Sequence, residues 1–269
     1  MAGTKPDSES EVTKTGHFQQ APFPIALLAA VTEETILLRG QLVDSTEQHC
    51  NGLDLIIGRL AGHQVVLGHS GIGKAAAAAA ATALLARYPV AALWMLGCGG
   101  AYPEAGLKIG DLALAEKEIF ADEGVMTDQG FRDLAAAGIP MRHGPPPSFN
   151  IWPTDSELTR WARLALADHA SAEKIALGYG PFATVSTCTG TTATALGITA
   201  RTGAICENME GAGAALACHQ MTVPFLELRG ISNLVENRQP QRWDLPAGML
   251  AAQKAVLKLL TTLESNPPL

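Results

Sequence analysis

Residues 203–238, GAICENMEGAGAALACHQMTVPFLELRGISNLVENR, decide the fold. Residues 204–206 are a short apolar strand, and Glu207, Asn208, Met209 and Glu210 follow it as a polar cluster. Residues 211–219 are small and apolar, which suits a helix lying close to its neighbours. Residues 222–230 are apolar enough for a buried second strand, which runs on into Ser232 and Asn233. Polar groups at the carboxyl ends of two buried strands are where open α/β sheets hold ligands. The same residues have plainer uses. Asn208 can cap the following helix with Glu210 in its first turn, and Ser232 with Asn233 can form an ordinary turn.

The elements to either side repeat the strand–helix alternation. Residues 23–30 (FPIALLAA) are a buried first strand, and Thr32 is placed to cap a helix that starts near Thr35. Glu33 and Glu34 suit that first turn, yet they stand where the strand opens onto the ligand edge of the sheet. Residues 53–60 and 63–69 are two strands joined at Ala61 and Gly62. Residues 68–75 nearly match the phosphate-binding G-x-x-x-x-G-K-[ST] loop, but Ala75 replaces the hydroxyl that would hold magnesium. The glycines are therefore read as a turn into an alanine-rich helix over 74–87. Residues 91–96 are another buried strand, ending in a glycine-rich turn at 97–101. A strand over 112–115 follows, and then 124–151, rich in glycine and proline, reads as a loop over the site with a short helix near 131–137. Thr154 caps a helix over 154–169 in this reading, with Glu157 at the reciprocal position. A strand or two over 174–185 leads to the hydroxyl-rich tract 186–192, a helix over 193–201, and a closing helix over 245–263. With no linker between alternating elements, residues 22–265 read as one α/β domain behind a polar, disordered tail over 1–21.

Composition narrows the function. The chain has 269 residues, 47% apolar and 17% charged, with a net charge of −7. With no long basic run, this argues against nucleic acid or an anionic membrane surface as partner. The five cysteines, Cys50, Cys98, Cys188, Cys206 and Cys218, are scattered without a C-x-x-C pair and fit a reducing cytoplasm. No run is long and apolar enough to span a membrane, and the first twenty residues lack a signal-peptide core. G-x-S-x-G, H-E-x-x-H and a dinucleotide fingerprint are absent, so neither metal nor cofactor is expected. Carboxylates, amides and hydroxyls at strand ends remain. Those groups suit acid–base work on a neutral polar substrate, of which glycoside cleavage is one case.

Several ordered motifs then carry a resemblance: AVTEETILLR over 30–39, SGIGKAAAA from Ser70, GCGGAY from Gly97, LKIGDLALAEKEIFADEGV from Leu107, TVSTCTGT from Thr184, ENMEGAGAA from Glu207 and RGISNLVENR from Arg229. On these, residues 23–260 resemble the purine nucleosidase and phosphorylase family, and within it the futalosine hydrolases of menaquinone biosynthesis. The resemblance implies a single-domain phosphorylase/hydrolase-like α/β fold, with a central mixed sheet flanked by helices. It also implies a small-molecule nucleoside substrate and a homo-oligomer. Carried over by position, Glu34 activates the attacking water, and Met209 with Glu210 binds the ribose. Gly100 and Cys98 adjoin the sugar and base, and Thr187 and Thr189 approach the base.

Two departures sharpen this. Adenine-directed relatives carry Asp where this chain has Asn233. An amide offers one donor group and one acceptor, which matches a 6-oxopurine such as hypoxanthine. No aromatic residue stands in the tract at 187–189, where adenine-directed relatives place one. Arg39 lies a full turn beyond Glu34, too far to serve as a phosphorylase's phosphate ligand, so water is favoured as nucleophile. Arg238 is the candidate for the carboxylate on futalosine's tail. The competing readings are another purine nucleosidase, of the methylthioadenosine or aminodeoxyfutalosine type, a 6-oxopurine nucleoside phosphorylase, and a non-catalytic nucleoside-binding protein.

Overall fold

The first strand, β1 (Ile25–Ala29), is buried at every residue, so it must be covered on both faces. Its side chains alternate accordingly. Leu27 joins one apolar cluster and Leu28 another on the opposite face. This is the centre of the sheet in the computed structural model, which describes residues 23–263. The tail expected over 1–21 lies outside the described residues. The chain forms a mixed α/β domain around one ten-stranded sheet.

β1 pairs in parallel with β4 (His63–His69) on one side and β5 (Ala92–Ala101) on the other. Beyond β4 the sheet continues antiparallel through β3 (Leu53–Leu60) to the edge strand β2 (Val43–Cys50). Beyond β5 lie β12 (Phe225–Leu234), β6 (Leu112–Phe120), β10 (Leu177–Thr184) and β11 (Cys206–Asn208). β11 also pairs antiparallel with β5, so these five strands close on themselves. The small β9 (Ile151–Pro153) adds to β6.

Helices cover both faces. α4 (Ser156–Glu173) and α7 (Leu245–Thr262) pack Leu158, Leu166, Val256 and Leu259 onto Leu27, Trp94 and Leu228. On the other face α2 (Lys74–Arg87) and α6 (Gly211–Met221) bring mostly alanines against Leu28, Leu93 and Phe225. Small residues let backbones approach closely. A Cβ on Gly213 would sit 2.2 Å from the carbonyl oxygen of Lys74, and one on Gly230 would sit 1.9 Å from that of Gly248. The short α1 (Ile36–Gly40) follows β1 after a 3₁₀ turn, and α5 (Thr192–Thr202) follows the hydroxyl-rich tract.

Several expectations are corrected. The glycine-rich stretch 97–101 is not a turn but the last half of β5, paired with β12 and β11. Residues 124–151 hold a small hairpin, β7 (Gly124–Thr127) with β8 (Gly130–Asp133), then α3 (Leu134–Ala137). Thr154 does not cap α4. Asp155 does, accepting from Leu158 N, while Thr154 bonds the carbonyls of Ala115 and Glu116. Thr32 caps nothing; Glu34 itself reaches back to Val31 N at 3.4 Å.

Gly230→Ala should cost about 1–3 kcal/mol or more, because two backbones must part to admit the methyl. Urea unfolding of the purified chain checks this; an unchanged midpoint would refute the tight β12–α7 contact.

Candidate active site

The carboxyl ends of β1, β5, β11 and β12 meet at one cleft of about 380 Å³. Glu34 comes from the turn after β1 and is 3% exposed. Its Oε2 accepts from Ala30 N at 2.9 Å, and its Oε1 accepts from Cys98 N at 2.9 Å. With the weaker bond from Val31, three of roughly four acceptor directions are occupied by backbone. The carboxylate is thus locked in place with little but the cleft left to serve. A Cβ on Gly97 would stand 2.5 Å from Glu34 Oε1 and 2.8 Å from Arg229 Nη1, so only glycine leaves room there for both side chains.

β12 supplies Asn233 through an irregularity. Its register against β5 steps from Ile231–Gly99 to Asn233–Gly100, leaving Ser232 as the extra residue. Such bulges re-aim side chains beside functional sites. Ser232 Oγ donates to Asn233 Oδ1 at 2.9 Å, and Asn233 Nδ2 donates to Leu234 O at 3.2 Å. The Ser232 hydroxyl has one proton for both Asn233 Oδ1 and the Gly99 carbonyl at 3.2 Å, so it is the Leu234 carbonyl, which needs a donor, that sets the facing end of the amide as nitrogen. One N–H and one lone pair remain for a ligand. Gly100 makes room: a Cβ there would lie 2.9 Å from Asn233 Nδ2.

The polar cluster after β11 does two jobs. Asn208 Oδ1 accepts from Glu210 N at 3.0 Å and Gly211 N at 2.8 Å, an Asx turn that leads into α6. The N-cap position itself falls to Glu210, not to Asn208 as expected. Glu210 is buried, accepts from Gly73 N at 3.0 Å and pairs with Arg229 at 3.3 Å. The near-phosphate-loop motif therefore presents a backbone N–H to a carboxylate at Gly73, which adopts φ 103°. Lys74 is no phosphate ligand. Its ammonium is occupied by Asp122 and Glu123.

Of the residues singled out from sequence, Glu34, Cys98, Gly100, Thr189, Met209, Glu210, Asn233 and Arg238 line the cleft. Thr187 does not; it is exposed. Thr189 is buried, and its N–H and hydroxyl are spent on Glu207. Arg238 lies at the mouth, its guanidinium 4.3 Å from the ring centroid of Trp243. None of residues 124–151, expected over the site, lines the cleft. Arg39 is exposed and does not line it either.

Comparison with known proteins agrees with this architecture. Residues 24–263 match the model of the phosphorylase superfamily. The chain belongs to the phosphorylase superfamily. A futalosine hydrolase of Thermus thermophilus is 36% identical over 192 residues, covering 71% of this chain and 79% of the relative. A 5'-methylthioadenosine/S-adenosylhomocysteine nucleosidase of Shewanella frigidimarina is 30% identical over 240 residues, covering 87% and 98%. Among solved structures, a nucleosidase of the latter kind from Neisseria meningitidis, in complex with methylthio-immucillin-A, superposes with a TM-score of 0.77 at 23% identity. It covers 89% of this chain and 99% of that one. The native futalosine hydrolase of Helicobacter pylori gives 0.76 at 23%, covering 90% and 98%. At those identities the structures speak for the superfamily fold alone.

Set in that fold, the cleft contains residues that the sequence reading passed over. Arg229 is 1% exposed. Burial works against its charge, but Glu227, Glu210 and Glu34 outweigh it and push its pKa well up. Glu207 is buried and receives the Tyr102 hydroxyl at 2.8 Å as well as Thr189. Cys188 and Trp243 also line the cleft. The signal for Arg229 was legible: charged residues inside FLELRGI, an otherwise apolar strand, need buried partners.

The Cys98 thiol is pushed up to about 12 by burial and then by the Glu34 charge. Its thiolate fraction at pH 8 is therefore on the order of 10⁻⁴. Iodoacetamide at pH 8 should label exposed Cys188 well before Cys98, and labelling of Cys98 should climb about tenfold per pH unit up to pH 11. Peptide mass mapping decides; fast labelling of Cys98 at pH 8 would contradict the site's electrostatics.

Proposed function

We propose that this chain hydrolyses the N-glycosidic bond of a purine nucleoside, and that the nucleoside is futalosine, yielding hypoxanthine and dehypoxanthine futalosine. The observation that carries the reading is the fixed amide of Asn233. Its remaining N–H meets the 6-oxo group, and its remaining lone pair receives a ring N–H of the departing base. Adenine would set its amino group against that N–H, a mismatch of about 1–3 kcal/mol in a buried site. In the reaction the glycosidic C–N bond breaks with its electron pair going to the base, whose ring nitrogen takes a proton from solvent, since the Asn233 amide is no acid. Water adds to the sugar carbon, and its proton passes to Glu34, the general base held by its backbone bonds. Glu210 accepts from the ribose hydroxyls and stabilises the cationic ring in the transition state. Met209 packs beneath the sugar. Cys98 and Gly100 sit beside sugar and base, and Thr189 braces Glu207 from the tract after β10.

Support for the tail comes from the cleft mouth. Val31, Ile72, Leu245 and Met249 are apolar residues of the cleft lining, which also includes Arg238 stacked on Trp243. An apolar tail closing in a carboxylate suits a lining of apolar residues that also holds a cation. The relatives also leave a second reading, a 5'-methylthioadenosine/S-adenosylhomocysteine-type nucleosidase, whose substrates carry an amino group at carbon 6 of the base. The position of Asn233 favours the first.

The purified chain should release hypoxanthine from futalosine without phosphate, faster than it releases base from inosine or methylthioadenosine. Preferential release of adenine would overturn the substrate, and a need for phosphate would overturn the nucleophile. Glu34→Gln should lower kcat by about 10²–10⁴-fold, as loss of a general base does. Arg238→Ala should raise KM for futalosine more than it lowers kcat, with inosine unaffected.

A further inference from the structure

Two carboxyl groups lie beneath the cleft and take no part in the chemistry above. Glu118 of β6 and Glu227 of β12 are both 0% exposed. They converge under Gly211, the first residue of α6. A Cβ there would stand 2.2 Å from Glu227 Oε2 and 2.7 Å from Glu118 Oε1. Each has its own route to the site. Glu227 Oε1 accepts from Arg229 Nε at 2.8 Å, and Arg229 Nη1 bonds Glu210 at 3.3 Å and Cys98 O at 3.1 Å. Glu118 Oε2 is bonded by the Thr184 hydroxyl and by Asn208 Nδ2 at 3.3 Å. Asn208 Oδ1 in turn holds the N–H groups of Glu210 and Gly211, and Thr184 Oγ1 accepts from Ala212 N at 2.9 Å.

The charges around this cluster do not balance if every acid is ionised. Glu227 and Arg229 face Glu118 from β12, and Asn208 and Cys206 face it from β11. Thr184 faces it from β10, and Glu210 and Glu34 lie on the far side of Arg229. One guanidinium serves four carboxyl groups. Two adjacent buried carboxyls cannot both carry charge, and one keeps a proton. Glu227 is beside Arg229; Glu118 is not. Glu227 Oε2 has no N–H or O–H donor among the described residues, and a proton on Glu118 would supply it.

We propose that Glu118 and Glu227 form a one-proton carboxyl pair that positions Glu210 against the substrate. Glu227 acts through Arg229, and Glu118 acts through Asn208 and the first turn of α6. Both are positioning residues, since neither lines the cleft. The inference rests on the reading of Glu210 as the ribose contact. Burial, then the charge of Glu227, raises the Glu118 pKa well above the ordinary carboxyl range. The folded chain then keeps a proton that the unfolded chain releases. Stability attributable to Glu118 is complete below the ordinary glutamate pKa and is lost as pH rises toward the folded value.

Four measurements test the pair. The infrared spectrum of the full-length protein at pH 7 should show a protonated-carboxyl stretch that vanishes in Glu118→Gln; no difference between the two spectra would overturn the shared proton. Glu118→Gln keeps a donor toward Glu227, so its Tm should gain on wild type steadily from pH 5 to pH 8. A pH-independent difference would overturn the assignment as well. With futalosine, Glu118→Gln should stay within threefold of wild-type kcat/KM, while Glu227→Gln should lose at least thirtyfold, chiefly in KM. A crystal structure of Glu227→Gln should show the Glu210 carboxylate displaced; an undisturbed Glu210 with unchanged KM would overturn the positioning role. Should Glu227→Gln fail to fold, Glu118→Ala, which removes both donor and acceptor, carries the same comparison. If wild type is inert toward futalosine, the substrate assignment fails, while the infrared, Tm and structural results still decide the pair.

Discussion

One buried guanidinium holds the cleft in register. Arg229 reaches Glu227 on its own strand, Glu210 from the segment after β11 and the carbonyl of Cys98 on β5. Its neighbour across Gly97 is Glu34, from the turn after β1. Three pieces of chain, β12, β5 and the segment after β11, are thus tied to a single cation that is itself out of water, with a fourth facing it across Gly97. A buried charge survives only when it is paired and hydrogen-bonded, so the arrangement is tightly conditional. Removing any carboxylate leaves Arg229 under-neutralised. Removing Arg229 leaves several acids facing one another.

Structural and chemical duties fall on the same side chains here, although not in the plain form read from sequence: Asn208 precedes the cap of α6, and Ser232 with Asn233 lies in β12 rather than in a turn. Glu34 closes the turn after β1 and also presents a carboxylate to the cleft. Asn208 holds the turn into α6 and also touches the buried acid below. The glycines of β5 are not turn residues. They thin the strand so that Glu34, Asn233 and Cys206 can lie against it.

Much of this was legible from residue order. β3 and β4 fall where their apolar runs lie, and the ends of β1, β11 and β12 were marked by polar residues following apolar ones. The β2 strand was not legible, because VDSTEQHC is polar and almost wholly exposed, so it has no apolar face to betray it. Thr187 and Thr189 look alike in sequence, and only the fold shows that Thr189 turns inward to Glu207 while Thr187 faces solvent. Arg229 and Glu227 were passed over because they sit inside a strand rather than at its end. Closure of the five-strand ring, which brings β11 to β5, depends on long-range pairing that no local pattern records.

The most direct test is a crystal structure of the chain with hypoxanthine and ribose bound together. The account predicts the base oxygen against Asn233 Nδ2 and a ring N–H against Asn233 Oδ1. Glu210 should hold the sugar hydroxyls, and Glu34 should face the anomeric carbon from the side opposite the base. A base seated away from Asn233, or a Glu34 carboxylate turned from that carbon, would contradict it.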